Sequence, residues 1–282
     1  MASATFVCTQ FEFGRLLGPA DGRYVIRPAG GEASHVAVLR TLGAPQRRRL
    51  KRGGRAVRTE SAEPAPVPTA RATLVRAEPL ESPTAAAAWL ETLRKDTAAL
   101  EGEAMSAAIE LNVVLHAHRV ATADPWASEV RPEQALVIRI GYATGDQAAD
   151  GRFSEAYELP TGTIRTRRTD RLAPQERLAA ILGGQERPLV SEDLVLRARA
   201  DLDGGRMREA ALQCRIALEG LLADAEAHED LTLGALPRKR DLVGRAANEA
   251  LSGDLTPALE EEVEATVTEM ETALRRRRLR SF

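Results

Sequence analysis

The chain has 282 residues, 39 Lys+Arg against 41 Asp+Glu, a formal charge of −2, and 44% hydrophobic but only 4% aromatic residues. That length suggests one large domain or two small ones, and the apolar content argues against a wholly disordered chain. No apolar run approaches the ~20 residues of a membrane span. Cys8 and Cys214, the only two cysteines, exclude a disulfide framework or a CxxC zinc site and fit a reducing, cytoplasmic setting. The first residues lack a basic stretch followed by an apolar one, so no secretory signal is expected.

In chain order, residues 1–43 read as a small antiparallel β unit. Thr5–Cys8 and Phe11–Phe13 are β-prone, Gly18-Pro19-Ala20-Asp21-Gly22 is a turn, and Arg23–Ile26 and His35–Leu39 supply further strands. Residues 44–83 then read as a basic and proline-rich linker. Arg47, Arg48, Arg49, Lys51, Arg52, Arg55 and Arg58 crowd one short stretch, and Ala62–Pro68 is polyproline-like. A strand is possible over 72–77, returning to the first sheet.

Residues 84–282 are expected to form a mainly helical body with one β hairpin. Trp89, Leu93, Leu100, Ala104, Ala108, Leu111 and Leu115 fall on one helical face. Thr84 or Ser82 can cap this helix, Gly102 is its weak point, and Asp124-Pro125 ends it. Unbroken to Val120, it would span ~55 Å. Ala135–Tyr142 and Phe153–Leu159 read as the hairpin, with Asp150-Gly151 as its turn. Beyond it, Pro174–Leu182 stops at Gly183-Gly184, and Ser191 is expected to cap a helix to Asp203, ended by Gly204-Gly205. Helices over Arg206–Asp224 and Lys239–Leu251 follow. A last one starts at Thr256-Pro257, with Leu259, Val263, Val267, Met270 and Leu274 as its apolar stripe. The class is therefore α+β, mainly α-helical.

Charge is uneven along the chain, +7 over residues 1–80, −7 over 81–160 and −2 over the rest. All but three of the basic residues are arginine, which fits a GC-rich bacterial genome better than selection for bidentate chemistry. The terminal run Arg275–Arg278, opposite Glu260–Glu264, complements the dipole of the last helix. The run at 47–58 has no such dipole to satisfy, so it is the one segment suited to a polyanion or a partner. No aromatic interleaves it, which removes base stacking.

Catalytic signals are sparse. His116 and His118 stand two apart, whereas one metal ion on a helix needs i, i+4. With Asp124 or Asp146 they make a site only if the fold brings them into one cleft. The loop 142–152 lacks the Gly-Lys-Ser/Thr of a phosphate loop and the distal Glu of a calcium loop. No cofactor is implied.

Ala198 in a first helix, the turn Gly205–Ala210, and Ala210, Cys214 and Ala217 in a second resemble one tetratricopeptide-repeat hairpin over residues 194–221. The family's closing proline is replaced by Leu222, and no neighbouring copy is seen. The resemblance implies protein–protein interaction. The sequence thus favours a cytoplasmic bacterial interaction or scaffold protein, with a protein partner or a second copy of itself. A nucleic-acid-associated protein using residues 47–58 comes next, and an unrecognised enzyme third.

Overall fold

Alternation along Thr5–Phe13 sets the first strand, β1, which has a strand on both sides. The computed structural model describes residues 4–28, 31–43, 67–160, 174–229 and 231–280. In it β1 is joined by β2 (Gly22–Ile26), β3 (His35–Leu42), β4 (Thr69–Leu80), β5 (Val137–Thr144) and β6 (Glu155–Glu158). These form one antiparallel sheet in the order β2-β3-β4-β1-β5-β6. The protein is α+β and mainly helical.

Two compact units divide the chain between Arg165 and Thr166. The boundaries expected at 44 and 84 do not separate the fold. β4 returns across the whole of the 44–68 stretch to lie between β3 and β1, and β5 closes on the far side of β1. The small β unit is therefore half of a larger sheet, and the hairpin belongs to that sheet rather than to a helical body. Of the linker, Arg47, Arg48, Arg49, Lys51, Arg52, Arg55 and Arg58 lie outside the described residues.

Odd-numbered residues of β1 face helices α1 (Pro83–Leu93) and α2 (Thr97–Thr122). Phe11, Phe13, Leu74, Ile138 and Ile140 bury there against Leu100, Leu111 and Leu115. The single long helix is broken. Arg94 and Lys95 make a turn, and the Asp96 carboxylate accepts from Ala98 N (2.9 Å) and Ala99 N (3.1 Å) to start α2. Ser82 caps α1 by accepting from Ala85 N at 3.1 Å. The opposite sheet face packs Cys8, Val38 and Val75 under Ala148 of α3 (Gly145–Ala149). That short helix occupies the connection read as a hairpin turn. Gly151, at φ +67°, follows it, and its carbonyl accepts from the buried Gln10 side chain at 2.9 Å.

The second unit comprises α4 (Pro174–Leu182), α5 (Val190–Asp203), α6 (Met207–Ala227), α7 (Arg240–Ser252) and α8 (Pro257–Arg280). Ala198 meets Ala210, Cys214 and Ala217 in a core completed by Val243, Ala246, Val263, Val267 and Met270. Ser191 is not the cap of α5. The helix starts at Val190, two residues earlier than that cap would give, with Leu189 at the cap position, and the Glu192 carboxylate accepts from Leu189 N at 3.2 Å. Ser191 is instead buried in the first turn.

Of the paired glycines at the α5–α6 turn, Gly205 is left-handed at φ +68°. Gly205→Val is expected to cost about 1–2 kcal/mol by forcing a β-branched residue into that region. Urea unfolding of the helical unit measures it. Gly184, at φ +71°, ends α4 in the same way.

Glu192 also ties three helices together. It accepts from Arg177 Nη2 at 2.8 and 3.0 Å and from Arg278 Nε at 3.2 Å, with its own side chain only 6% exposed. Burial pushes its carboxyl up, but the Arg177 hydrogen bond and the two guanidinium charges outweigh it and hold the group below the usual range. A depressed carboxylate stabilises fully above its unfolded pKa, and that stability is lost as pH falls through the folded value. The melting temperature of this unit is expected to drop below about pH 4.5, and Glu192→Gln to flatten that dependence.

Candidate interaction site

An opening on the first unit lies between the edge strand β2 and α2. Its floor is Tyr24 and Ile26, its far wall Val113, Val114, Ala117 and Ala121 of α2, and its near rim Pro19 and Ala20. The cavity holds about 590 Å³, within the usual range for ligand sites. Local chemistry sets the rim. Gly18 has φ +110°, and a Cβ there would stand 2.9 Å from the His118 ring, so a glycine lets the loop rest on α2. Tyr24 Oη donates to Ala20 O at 2.7 Å and Thr41 Oγ1 to Asp21 Oδ1 at 2.7 Å, which pin the loop to β2 and β3.

Only two lining side chains carry strong polar groups, Arg27 and His118, and none is acidic. Arg27 is exposed and makes no ion pair with a described residue. The His118 ring nitrogens have no hydrogen-bond partner among the described residues. Around this opening the surface is unusually apolar. Val113 is 43% exposed, and Met105, Ile109 and Val120 continue the exposed stripe along α2, while Val25, 53% exposed, stands beside Val36 on the other sheet face. Trp126, just past that helix, is 88% exposed. An exposed apolar stripe along one helix face marks an interaction site.

The polar residues singled out for an enzyme do not converge. His118 lines the cavity. His116 Nδ1 is 3.0 Å from Arg119 Nη2 and 4.0 Å from Glu129 Oε1. Asp124 accepts from Trp126 N at 2.9 Å. Asp146 is in α3, which packs on the opposite face of the sheet. Among the described residues, no group of three or more His, Cys, Asp and Glu is arranged to hold a metal ion. Both cysteines are fully buried, and burial pushes each thiol up to about 12, which leaves neither poised as a nucleophile.

A second polar cluster spans the sheet face that carries α3. Glu12 accepts from Arg71 (2.8 Å) and Arg139 (2.8 Å), and Arg139 Nε donates to Glu158 at 3.0 Å. Burial raises the Glu12 carboxyl, yet hydrogen bonds from Arg139 and Arg71 bring it below its usual value. These arginines are internally paired. Arg40, opposite Arg71 in the β3–β4 register, is exposed.

Sequence reasoning missed the groove, although one signal was present. Met105, Ile109 and Val113 are apolar at intervals of four on a face other than the one that packs on the sheet. A helix apolar on two faces has two things to cover. No helix among the described residues is long and apolar enough to cross a membrane. Scans against family models, curated proteins and solved structures each return no match for this chain.

Proposed function

We propose that this chain is a cytoplasmic bacterial protein-interaction module that docks a segment of another protein in the groove between β2 and α2. The observation that carries this reading is the apolar cavity of about 590 Å³ beside exposed Val113, at a sheet edge left open among the described residues. Such a surface loses free energy when covered, at roughly 25 cal/mol per Å² of apolar area. The tetratricopeptide-like hairpin of α5 and α6 points the same way, since that resemblance implies protein–protein interaction.

A photo-crosslinker placed at Val113 of the full chain tests it. The captured polypeptide, once purified, is expected to bind the unlabelled chain directly. Val113→Asp and Ala117→Trp should each weaken that binding at least about tenfold, about 1.4 kcal/mol. Equal affinity for both variants would overturn the reading.

A second reading, a nucleic-acid-associated protein, draws on Arg40, which is exposed near the end of β3, one of the two strands that flank the 47–58 run. It requires DNA or RNA binding that weakens steeply with salt and is lost when Arg47, Arg48, Arg49 and Arg52 become Ala. The interaction reading expects no such binding at about 150 mM salt.

A further inference from the structure

We infer that the groove receives its partner as an added β strand, an extended segment that pairs with β2, inserts an apolar side chain and presents a carboxylate to Arg27. This rests on the interaction reading above and specifies the ligand. β2 is the terminal strand of the sheet, with only β3 paired to it among the described residues. Its second edge therefore offers main-chain donors and acceptors in the register an extended chain can complete. A helix seated in the same groove would leave those groups to water.

The cavity sets the side-chain requirement. A strand laid beside β2 alternates its side chains between the two sheet faces. Those directed to the helix side arrive above Tyr24 and Ile26 and against Val113 and Ala117, where the lining is apolar. Valine, isoleucine or leucine at alternate positions suits that wall.

Charge completes the description. Arg27, just past the edge strand, has no ion-pair partner among the described residues, the His118 ring lining the cavity has no hydrogen-bond partner among them, and the lining holds no carboxylate. An acidic side chain or a terminal carboxylate is the complement, and a guanidinium can bind it through two parallel hydrogen bonds. A second copy of this chain is the poorer occupant. The duplicate strand, Gly22–Ile26, carries no carboxylate to offer Arg27, and its one charged residue, Arg23, is already paired with Asp150.

The test uses the purified full chain and two synthetic peptides that alternate valine with threonine, one ending in two aspartates and the other in two lysines. The acidic peptide is expected to bind at least about tenfold more tightly. Its advantage should vanish in Arg27→Glu, and hydrogen exchange at the Gly22–Ile26 amides should slow on binding. Equal affinity of the two peptides, or binding without protection of β2, overturns the inference. So does octanoate competing for the site as well as the peptide does, because the groove would then be a pocket for small apolar acids. A partner crosslinked at Val113 whose binding leaves β2 amides unprotected refutes strand addition alone. Insensitivity of that partner to Val113→Asp refutes the interaction reading itself.

Discussion

Gly141→Ala is expected to detach β6 from the sheet and to destabilise the first unit by about 3 kcal/mol. Gly141 sits in the middle of β5, opposite Cys8 of β1 on one side and Ala156 of β6 on the other. A Cβ there would lie 2.1 Å from Glu155 O and 2.6 Å from Ala156 Cα. Both are main-chain atoms, so no rotamer change relieves the overlap and the strand itself must move. What moves with it is substantial. Tyr157 packs on the core with Arg94 over its ring at 5.6 Å, Leu159 is buried, and Glu155 accepts from Tyr142 Oη at 2.9 Å. For a unit of this size the melting temperature should fall by roughly 6–12 °C. Gly102→Ala is the control of opposite sign. A Cβ at Gly102 meets nothing within 4 Å, and alanine in a helix interior gains about 0.5–1 kcal/mol over glycine. If the two substitutions shift unfolding alike, the close approach of β5 and β6 is not what requires glycine.

The contrast between these glycines shows what local sequence carries. Gly102 looks like a helix breaker and is an ordinary position inside α2. The real break, at Arg94–Asp96, contains no glycine or proline, and its only local mark is an aspartate able to cap the next turn. The helical unit was the more legible half, because its starts and stops are local. Gly183-Gly184, Gly204-Gly205 and Pro257 punctuate stretches whose apolar spacing already specifies the buried face. The sheet was legible strand by strand but not in its order. β1 pairs with β4 through Cys8↔Val75 and with β5 through Cys8↔Gly141, and nothing near Cys8 names either partner. Domain boundaries drawn from composition failed for the same reason, since the Pro/Arg-rich stretch lies between two strands of one sheet.

The groove was least legible, because it exists only where residues 19–27 meet residues 113–121. Each segment alone has a sufficient bland reading, a turn and strand in one case and the end of a long helix in the other. The combination creates the cavity and, among the described residues, leaves Arg27 without a carboxylate and an open strand edge beside an apolar wall. The 47–58 arginines stand out far more in the sequence, yet they lie outside the described residues. The interaction reading therefore rests on Val113, Ala117 and Arg27, none of which belongs to any recognisable motif.

Removing α8 by truncation after Asp254 is expected to abolish cooperative unfolding of the second unit. Val263, Val267 and Met270 are fully buried and Leu274 nearly so, all within the core shared with α5, α6 and α7. Their loss would open Leu218, Leu221 and Val243 to water, and each fully buried aliphatic side chain represents about 1.5–3 kcal/mol of transfer free energy. Ion pairs leave with them. Arg199 donates to Glu271 at 3.0 and 3.1 Å, Lys239 lies 2.8 Å from Glu269, and Arg278 supports Glu192. Summed over the helix, these losses are comparable to the 5–15 kcal/mol by which domains are ordinarily stable. The truncated chain should bind a hydrophobic dye and retain helical circular dichroism without a sharp melt of this unit. Met270→Ala gives the graded version, about 2–5 kcal/mol, in a chain that still folds. Glu261→Ala, on the exposed side of the same helix, should cost well under 1 kcal/mol. A truncated chain that melts as sharply as the intact one, together with a neutral Met270→Ala, would make α8 an appendage rather than a wall of the core.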